Sequence, residues 1–281
     1  MDVQRVAAFS QGDKGGNPAG VVLLNEAASD ADMARVAAEV GYSETAFATA
    51  LDGSNRKWRV RYFAPESEVP FCGHATIALG AVLGQHAGAG TFELVLNQTT
   101  ITVEALPSED GLAAQLTSPP TASRAMTAGE LEEALALFGL ATGDFDERLP
   151  PAHIHGGADH FVLPLRDRAR LSAMQYDLDE GRKFMRQYGV VTVMLVVIQS
   201  HQQFAARNAF ASGGVLEDPA TGAAAAAFAG YLRDQKWPHG GRFAVHQGED
   251  MGQPSLIKVA LTDQPNAPVK VSGSVRPIMA R

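Results

Sequence analysis

The sequence predicts an α+β protein built as two similar halves, and three observations lead there. Two polar turns each run straight into a helix with no polar face: Val69 to Thr76 leads into Ile77–Gly84, and Glu217 to Gly222 leads into Ala223–Leu232. No charged residue falls between Pro70 and Gly84, or between Pro219 and Leu232. A helix that is apolar on every side belongs inside a protein rather than on its surface. Strand-like segments bracket both helices, and 28 glycines and 15 prolines supply the tight turns that many short strands require. The order of strands, turn, buried helix and strands occurs twice, a weak internal duplication rather than a doubly wound sheet.

The first half opens with the apolar segment Val3–Phe9, and Asn17–Leu24 reads as a turn followed by a strand. Ser29 caps a helix predicted over Asp30–Val40, with Met33, Val36, Ala37 and Val40 on one face and a stop near Gly41. Lys57–Phe63 alternates Trp58, Val60 and Tyr62 with Arg59 and Arg61, the pattern of a half-buried strand, and delivers the chain to the first motif. After the buried helix, Thr91–Leu96 and Thr99–Ala105 form a predicted hairpin. Ser118, Pro119, Pro120 and Thr121 are the clearest punctuation, and a second half begins there. It holds a helix over Glu130–Phe138, then strands over Ala152–Leu165, Val190–Ser200 and Phe204–Phe210 that lead into the second motif. The tail from Val269 to Ala280 supplies one or two closing strands. The expected domains are residues 1–118 with 268–281, carrying the first motif, and residues 119–267, carrying the second.

A chain of 281 residues with 46% hydrophobic content can bury a large core. Its formal net charge of −8, with no Lys/Arg cluster longer than a pair, argues against nucleic acid or anionic membrane as a partner. A single cysteine excludes an internal disulfide and a thiolate metal cage. Met1–Ser10 shows no secretory pattern, and the longest apolar stretch, Gly189–Ile198, falls far short of the ~20 residues that span a bilayer, so it reads as a buried strand. The expected location is the cytoplasm. The Gly12–Gly16 loop is not followed by the Lys-Ser or Lys-Thr of a phosphate cradle and reads as a turn.

The first backbone N–H groups of a buried helix still need partners. Two such starts, each carrying small residues that admit a ligand to the backbone, point to one anion held between two half-sites, with a carboxylate as the natural candidate. Glu44 lies in Gly41 to Phe47 among small or apolar neighbours. It reads either as a strand-edge glutamate in solvent or, if desolvated, as a group able to take and give a proton near neutrality. His74 at the first helix start either makes a structural hydrogen bond or donates to a substrate oxygen, and Asp218 either caps its turn or acts there. Cys72 reads as a small buried residue more readily than as a nucleophile, because racemases that use thiols need two. His153, His155 and His160 are a weaker candidate for a metal site, without an accompanying acidic cluster.

At these residues the chain resembles the PhzF-like phenazine-biosynthesis family, which shares the diaminopimelate epimerase type of fold. The matching segments are Gly15–Val22, Ser43–Phe47, Phe63–Pro65 with Glu68–Thr76, Glu217–Gly222 and Gln247–Ser255, in family order over nearly the whole chain. The resemblance implies two similar halves, each a mixed β-sheet curled into a barrel-like layer around a central apolar α-helix, with the active site in the cleft between them. It implies that Glu44 is the general acid/base, that His74 and Asp218 bind and polarise the substrate, and that Gly73 and Gly222 offer backbone donors to its carboxylate. Family members commonly carry serine where this chain has Ala223, so a hydroxyl that could bond the substrate is missing.

The expected site is therefore catalytic Glu44, His74 and Asp218 with substrate-binding Cys72, Gly73, Gly222 and Ala223, acting without metal or cofactor. The expected function is a cofactor-independent isomerase that moves a proton on a small carboxylated substrate, in a homodimer. The alternative is a binding or interaction protein that keeps the cleft and has lost catalysis, for which Ala223 is the sequence support. A metal-dependent hydrolase on His153, His155 and His160 is the third and weakest reading.

Overall fold

The structure is a computed structural model that describes residues 1–108 and 111–279. Two compact units divide the chain: Met1–Thr117 with the segment from Ser272 onward, and Ser118–Val271. The first begins β1 (Gln4–Ser10), β2 (Asn17–Leu24), α1 (Asp30–Val40), β3 (Thr45–Ala50), β4 (Lys57–Phe63) and β5 (Glu68–Val69). It continues α2 (Gly73–Ala87), β6 (Gly90–Val95), β7 (Thr100–Ser108) and β8 (Gly111–Thr117). The second begins β9 (Ala122–Ala125), α3 (Ala128–Phe138), β10 (Ala152–His155), β11 (Asp159–Leu165), α4 (Arg168–Ser172) and α5 (Leu178–Tyr188). It continues β12 (Thr192–Ser200), β13 (Gln203–Ala209), β14 (Glu217–Asp218), α6 (Gly222–Asp234), β15 (Arg242–Gln247) and β16 (Ser255–Ala260), and β17 (Lys270–Pro277) follows.

In the first unit β1 pairs antiparallel with β2, β2 parallel with β3, and β3 antiparallel with β4. The far edge of β4 is shared between the short β5 and, in parallel, β6, and β7 and β8 follow antiparallel. The second unit repeats this succession: β10 antiparallel to β11, β11 parallel to β12, β12 antiparallel to β13, and the far edge of β13 shared between the short β14 and, in parallel, β15. In both, one buried helix follows the short strand. The fold is thus a mixed α+β arrangement with the internal duplication that the sequence predicts.

Both central helices are buried where the sequence lacks charge. Every residue of α2 from His74 to Leu83 is buried, and α2 lies against β1, β2, β3, β6, β7 and β8. In α6, Gly222 and the residues from Ala224 to Arg233 are buried against strands that include β9, β10, β11 and β16. Fully burying a Leu or Ile side chain stabilises by about 1.5–3 kcal/mol, so Ile77, Leu79 and Leu83 anchor the first core. Gly84 lets α2 approach β7, since a Cβ there would lie 2.4 Å from Ala105 Cβ, and Gly230 permits an equally close approach in the second unit, where a Cβ would lie 2.4 Å from Thr121 Cβ.

The structure refines several expectations. Both helices begin at the motif glycine, Gly73 or Gly222, so the motifs themselves form the first turns. The predicted strand over Ala152–Leu165 breaks at Gly156 and Gly157 into two antiparallel strands. Of the predicted closing segment Val269 to Ala280, the structure forms β17, and residue 280 lies outside the described residues. Among the described residues no helix is long and apolar enough to cross a membrane.

Candidate functional site

Glu44 is placed by the junction that precedes β3. Gly41 ends α1 in the left-handed region at φ 71°, and the Glu44 carbonyl accepts the Gly20 amide at 3.2 Å, tying that backbone to β2. Its side chain, 16% exposed, approaches His74, with 3.5 Å between Glu44 Oε2 and His74 Nε2. Ser43 Oγ lies 3.4 Å from the same nitrogen. His74 Nδ1 faces the other way, 3.3 Å from Cys72 Sγ. Three residues, from the junction before β3 and from the start of α2, thus form a row of thiol, imidazole and carboxylate.

The first turn of α2 is braced from beneath. The Cys72 carbonyl accepts both the Thr76 amide at 3.0 Å and the Thr76 hydroxyl at 2.7 Å. Because Thr76 spends its proton there, the 2.6 Å bond between Tyr62 and Thr76 is donated by the phenol. Burial pushes the Tyr62 phenol well above its ordinary range, which keeps it a neutral donor. The N–H groups of Gly73, His74 and Ala75 precede the first intrahelical bond, and a Cβ built on Gly73 meets no heavy atom within 4 Å. A helix N-terminus with an open face at its first residue is suited to an anion.

The second motif stands at the equivalent place in its own unit. Asp218 ends β14, paired with Asn208, and is 9% exposed. Thr221 Oγ1 donates to Asp218 Oδ2 at 2.5 Å. The N–H groups of Gly222, Ala223 and Ala224 precede the first intrahelical bond of α6, from Ala225 N to Thr221 O at 3.1 Å. Gly222 is the counterpart of Gly73, so Ala223 stands where the first unit has His74 and Thr221 where it has Cys72.

Of the expected residues, the structure brings Glu44, Cys72, Gly73 and His74 together in the first unit, and Asp218, Gly222 and Ala223 in the second. Ser43, Tyr62, Thr221 and Gln247 belong to the same arrangements and were not singled out from the sequence. Ser43, Thr221 and Gln247 fall inside the segments that match the family, and Tyr62 faces the buried side of its strand, which is the available signal. Glu44, Cys72 and His74 are also the group of three possible metal ligands found among the described residues, with one atom of each within 4.8 Å of the others. The imidazole nitrogens are divided between Cys72 and Glu44, however, whereas an ion would take only one of them. The other metal candidate is broken up by strand alternation. His153 and His155 both approach Asp159 Oδ1, at 3.4 and 3.2 Å, while His160 sits opposite Ile154 on the other face and bonds Thr192.

The profile of a family described as phenazine biosynthesis-like protein, PhzC-PhzF, matches residues 6–281. A protein from Deinococcus radiodurans named an uncharacterized isomerase is 35% identical over 90% of this chain and 84% of its own length. The uncharacterized isomerase YddE of Escherichia coli K12 is 30% identical over 96% and 93%. The trans-2,3-dihydro-3-hydroxyanthranilate isomerase of Pseudomonas chlororaphis is 28% identical over 90% and 87%. Among solved structures, a Bacillus anthracis phenazine biosynthesis protein of the PhzF family superposes with a TM-score of 0.86 at 20% identity, covering 99% of this chain and 98% of the other. A probable proline racemase from Agrobacterium radiobacter gives 0.65 at 11% identity, covering 98% and 90%, which extends the likeness of fold alone.

Proposed function

The chain belongs to the phenazine biosynthesis-like PhzF family of isomerases, and from that premise we propose that Glu44 moves a proton between two carbons of a small carboxylated substrate, without metal or organic cofactor. The observation that carries the proposal is the approach of Glu44 Oε2 to His74 Nε2 at 3.5 Å beside the open face of Gly73. In the proposed cycle the Glu44 carboxylate removes a proton from a carbon alpha or vinylogous to an electron-withdrawing group. The electron pair spreads toward that group, and the protonated Glu44 then returns the proton to another carbon of the same molecule. His74 polarises the oxygen on which charge develops, and Asp218 binds the substrate. The N–H groups at Gly73 and Gly222 hold the carboxylate. A positioned acid/base contributes roughly 10²–10⁴ to the rate, and backbone donors aimed at developing charge add to it.

The substrate class is proposed to be unsaturated or amino-bearing carboxylic acids. The Pseudomonas chlororaphis relative is named for a dihydro-hydroxyanthranilate, and Ala223 is a reason for this chain to prefer a different member of that class. The test is NMR in D₂O with a panel of such acids, comparing wild type with Glu44→Gln. Deuterium should enter a carbon position with wild type and not with the variant. Equal exchange by both proteins would remove Glu44 from the mechanism. Saturable binding without exchange by wild type would instead support a carboxylate-binding protein, with Ala223 as the residue to revert.

A further inference from the structure

A file of buried polar side chains crosses the second unit and ends on the Asp218 turn. His160 on β11, Thr192 on β12, Asn208 on β13 and Gln247 on β15 are each at most 1% exposed. Polar groups in such surroundings are costly unless bonded, and here they bond to one another. The strand registers bring them side by side, since His160 is opposite Thr192, Asn208 opposite Asp218, and Ala206 opposite Gln247.

The side-chain donors share one direction. Thr192 Oγ1 donates to Asn208 Oδ1 at 3.0 Å, which commits its single proton, so the 2.8 Å bond to His160 is donated by the imidazole Nδ1–H. Asn208 Nδ2 donates to Gln247 Oε1 at 3.2 Å. Gln247 Nε2 donates to the Asp218 carbonyl at 2.7 Å and to Thr221 Oγ1 at 3.1 Å, and Thr221 Oγ1 passes its own proton toward Asp218 Oδ2 at 2.5 Å. Gln247 Oε1 also accepts the Thr221 amide at 3.3 Å. Every side-chain donor points toward the Asp218 turn, with the Thr221 amide alone donating back to Gln247, and hydrogen bonds so joined in a low dielectric polarise one another. Burial pushes the His160 imidazole down to about 3, so the first link stays neutral. Next to Gln247, Gly248 at φ 78° brings the chain so near the turn that a Cβ there would lie 2.7 Å from the Pro219 carbonyl. The first unit holds its own turn by the different means of Tyr62 and Thr76.

We propose that Gln247, backed by Asn208, Thr192 and His160, is a positioning residue that fixes the Thr221 amide and hydroxyl and, through them, the orientation of the Asp218 carboxylate. Its importance for turnover rests on the isomerase reading, whereas its effect on the Thr221 turn does not. Gln247 contributes no group to the reaction itself. It removes alternative orientations of the turn before substrate arrives, a form of preorganisation.

The test compares Gln247→Met, Thr192→Val and Thr192→Ser with wild type by amide hydrogen exchange, imidazole ¹⁵N NMR and the kinetics of deuterium incorporation. In wild type the His160 ring should be the Nδ1–H tautomer, and an Nε2–H tautomer would overturn the direction of the file without any variant. Gln247→Met should speed exchange of the Thr221 amide at least tenfold, with the Leu195 amide unchanged, and lower kcat/KM at least tenfold. Thr192→Val, which does not touch Thr221, should shift the Thr221 amide resonance and lower kcat/KM at least threefold, and Thr192→Ser should restore both. A Thr221 amide unmoved in Gln247→Met and Thr192→Val overturns the proposal. If wild type exchanges no acid in the panel, the isomerase reading fails by itself and the amide measurements still decide the positioning role.

Discussion

A Cβ built on Gly73 meets open space, whereas one built on Gly80, two turns along the same helix, comes within 2.5 Å of Val103 Cγ2. The fold needs the second glycine and has no steric need of the first. Gly80→Ala forces β7 away and should cost about 1–3 kcal/mol, read as a lower Tm. Gly73→Ala should leave stability within about 0.5 kcal/mol of wild type, as substitutions that meet open space do. If the Gly73 amide receives the substrate carboxylate, the same methyl group should nevertheless reduce kcat/KM at least tenfold in the deuterium-exchange assay. Unchanged kinetics in a stable Gly73→Ala protein would remove that amide from the binding site. Ala223 allows the converse experiment. Ala223→Ser adds a hydroxyl at the first turn of α6, and one neutral hydrogen bond of about 1 kcal/mol would raise kcat/KM for the dihydro-hydroxyanthranilate roughly fivefold.

Among the elements, the short strands that precede the two central helices are braced alike. Arg61 Nη2 reaches Glu68 Oε2 at 2.5 Å, and Arg207 Nη2 reaches Glu217 Oε2 at 2.5 Å, at matching positions of β4 with β5 and β13 with β14. Side-chain exposures of 13% and 6% in the second pair, against 20% and 25% in the first, decide which matters more. Arg207→Met strands a buried carboxylate and should cost about 3–5 kcal/mol in urea unfolding, with a smaller loss for Arg61→Met. Helix α3 gives a pH-dependent case. Arg124, with help from the Thr127 amide in a capping box, holds the Glu130 carboxyl down to about 2. A depressed carboxyl contributes its full stabilisation above its ordinary value near 4.5 and loses it as pH falls toward 2. Glu130→Gln should therefore be less stable than wild type by about 1.5 kcal/mol at pH 7, with the difference closing near pH 2. Legibility in the sequence followed the same physics. Helices α2 and α6 stood out because charge-free runs have one destination, and Ser29 with Gly41 marked both ends of α1. Helix α5 is harder to read because only a few of its residues, among them Phe184 and Met185, are buried between charges, although Asp177 caps it and Gly189 ends it. β15 alternates Phe243, Val245 and Gln247 inward and was equally open to reading. Family motifs point to Glu44 and His74, but the division of the imidazole nitrogens between Cys72 and Glu44 depends on where the junction before β3 meets the start of α2, which no local pattern encodes.

Across the whole molecule, the repeated succession of strands is drawn from the chain in two ways. The second unit is continuous from Ser118 to Val271, while the first takes in the segment from Ser272 onward. There β17 pairs antiparallel with β1, from Val6 opposite Pro277 to Ser10 opposite Ser274. The register slips at Phe9, a fully buried residue in the left-handed region at φ 61°, and Gly273 makes room for it, since a Cβ there would lie 2.5 Å from Phe9 Cδ1. Arg276 Nε adds a bond to the Gly15 carbonyl at 2.9 Å. The first unit therefore closes only when the end of the chain returns to its beginning, a long-range pairing whose loop entropy must be offset by the contacts it makes. Ending the chain at Val271 strips β1 of this partner and exposes Phe9. Amides of β1 and β2 should then exchange about 100-fold faster, a loss of roughly 3 kcal/mol in local stability, while those of β12 and β13 keep their protection. Equal loosening of all four strands would mean that the two cores open together, and unchanged protection in β1 would mean that β17 is dispensable for the first.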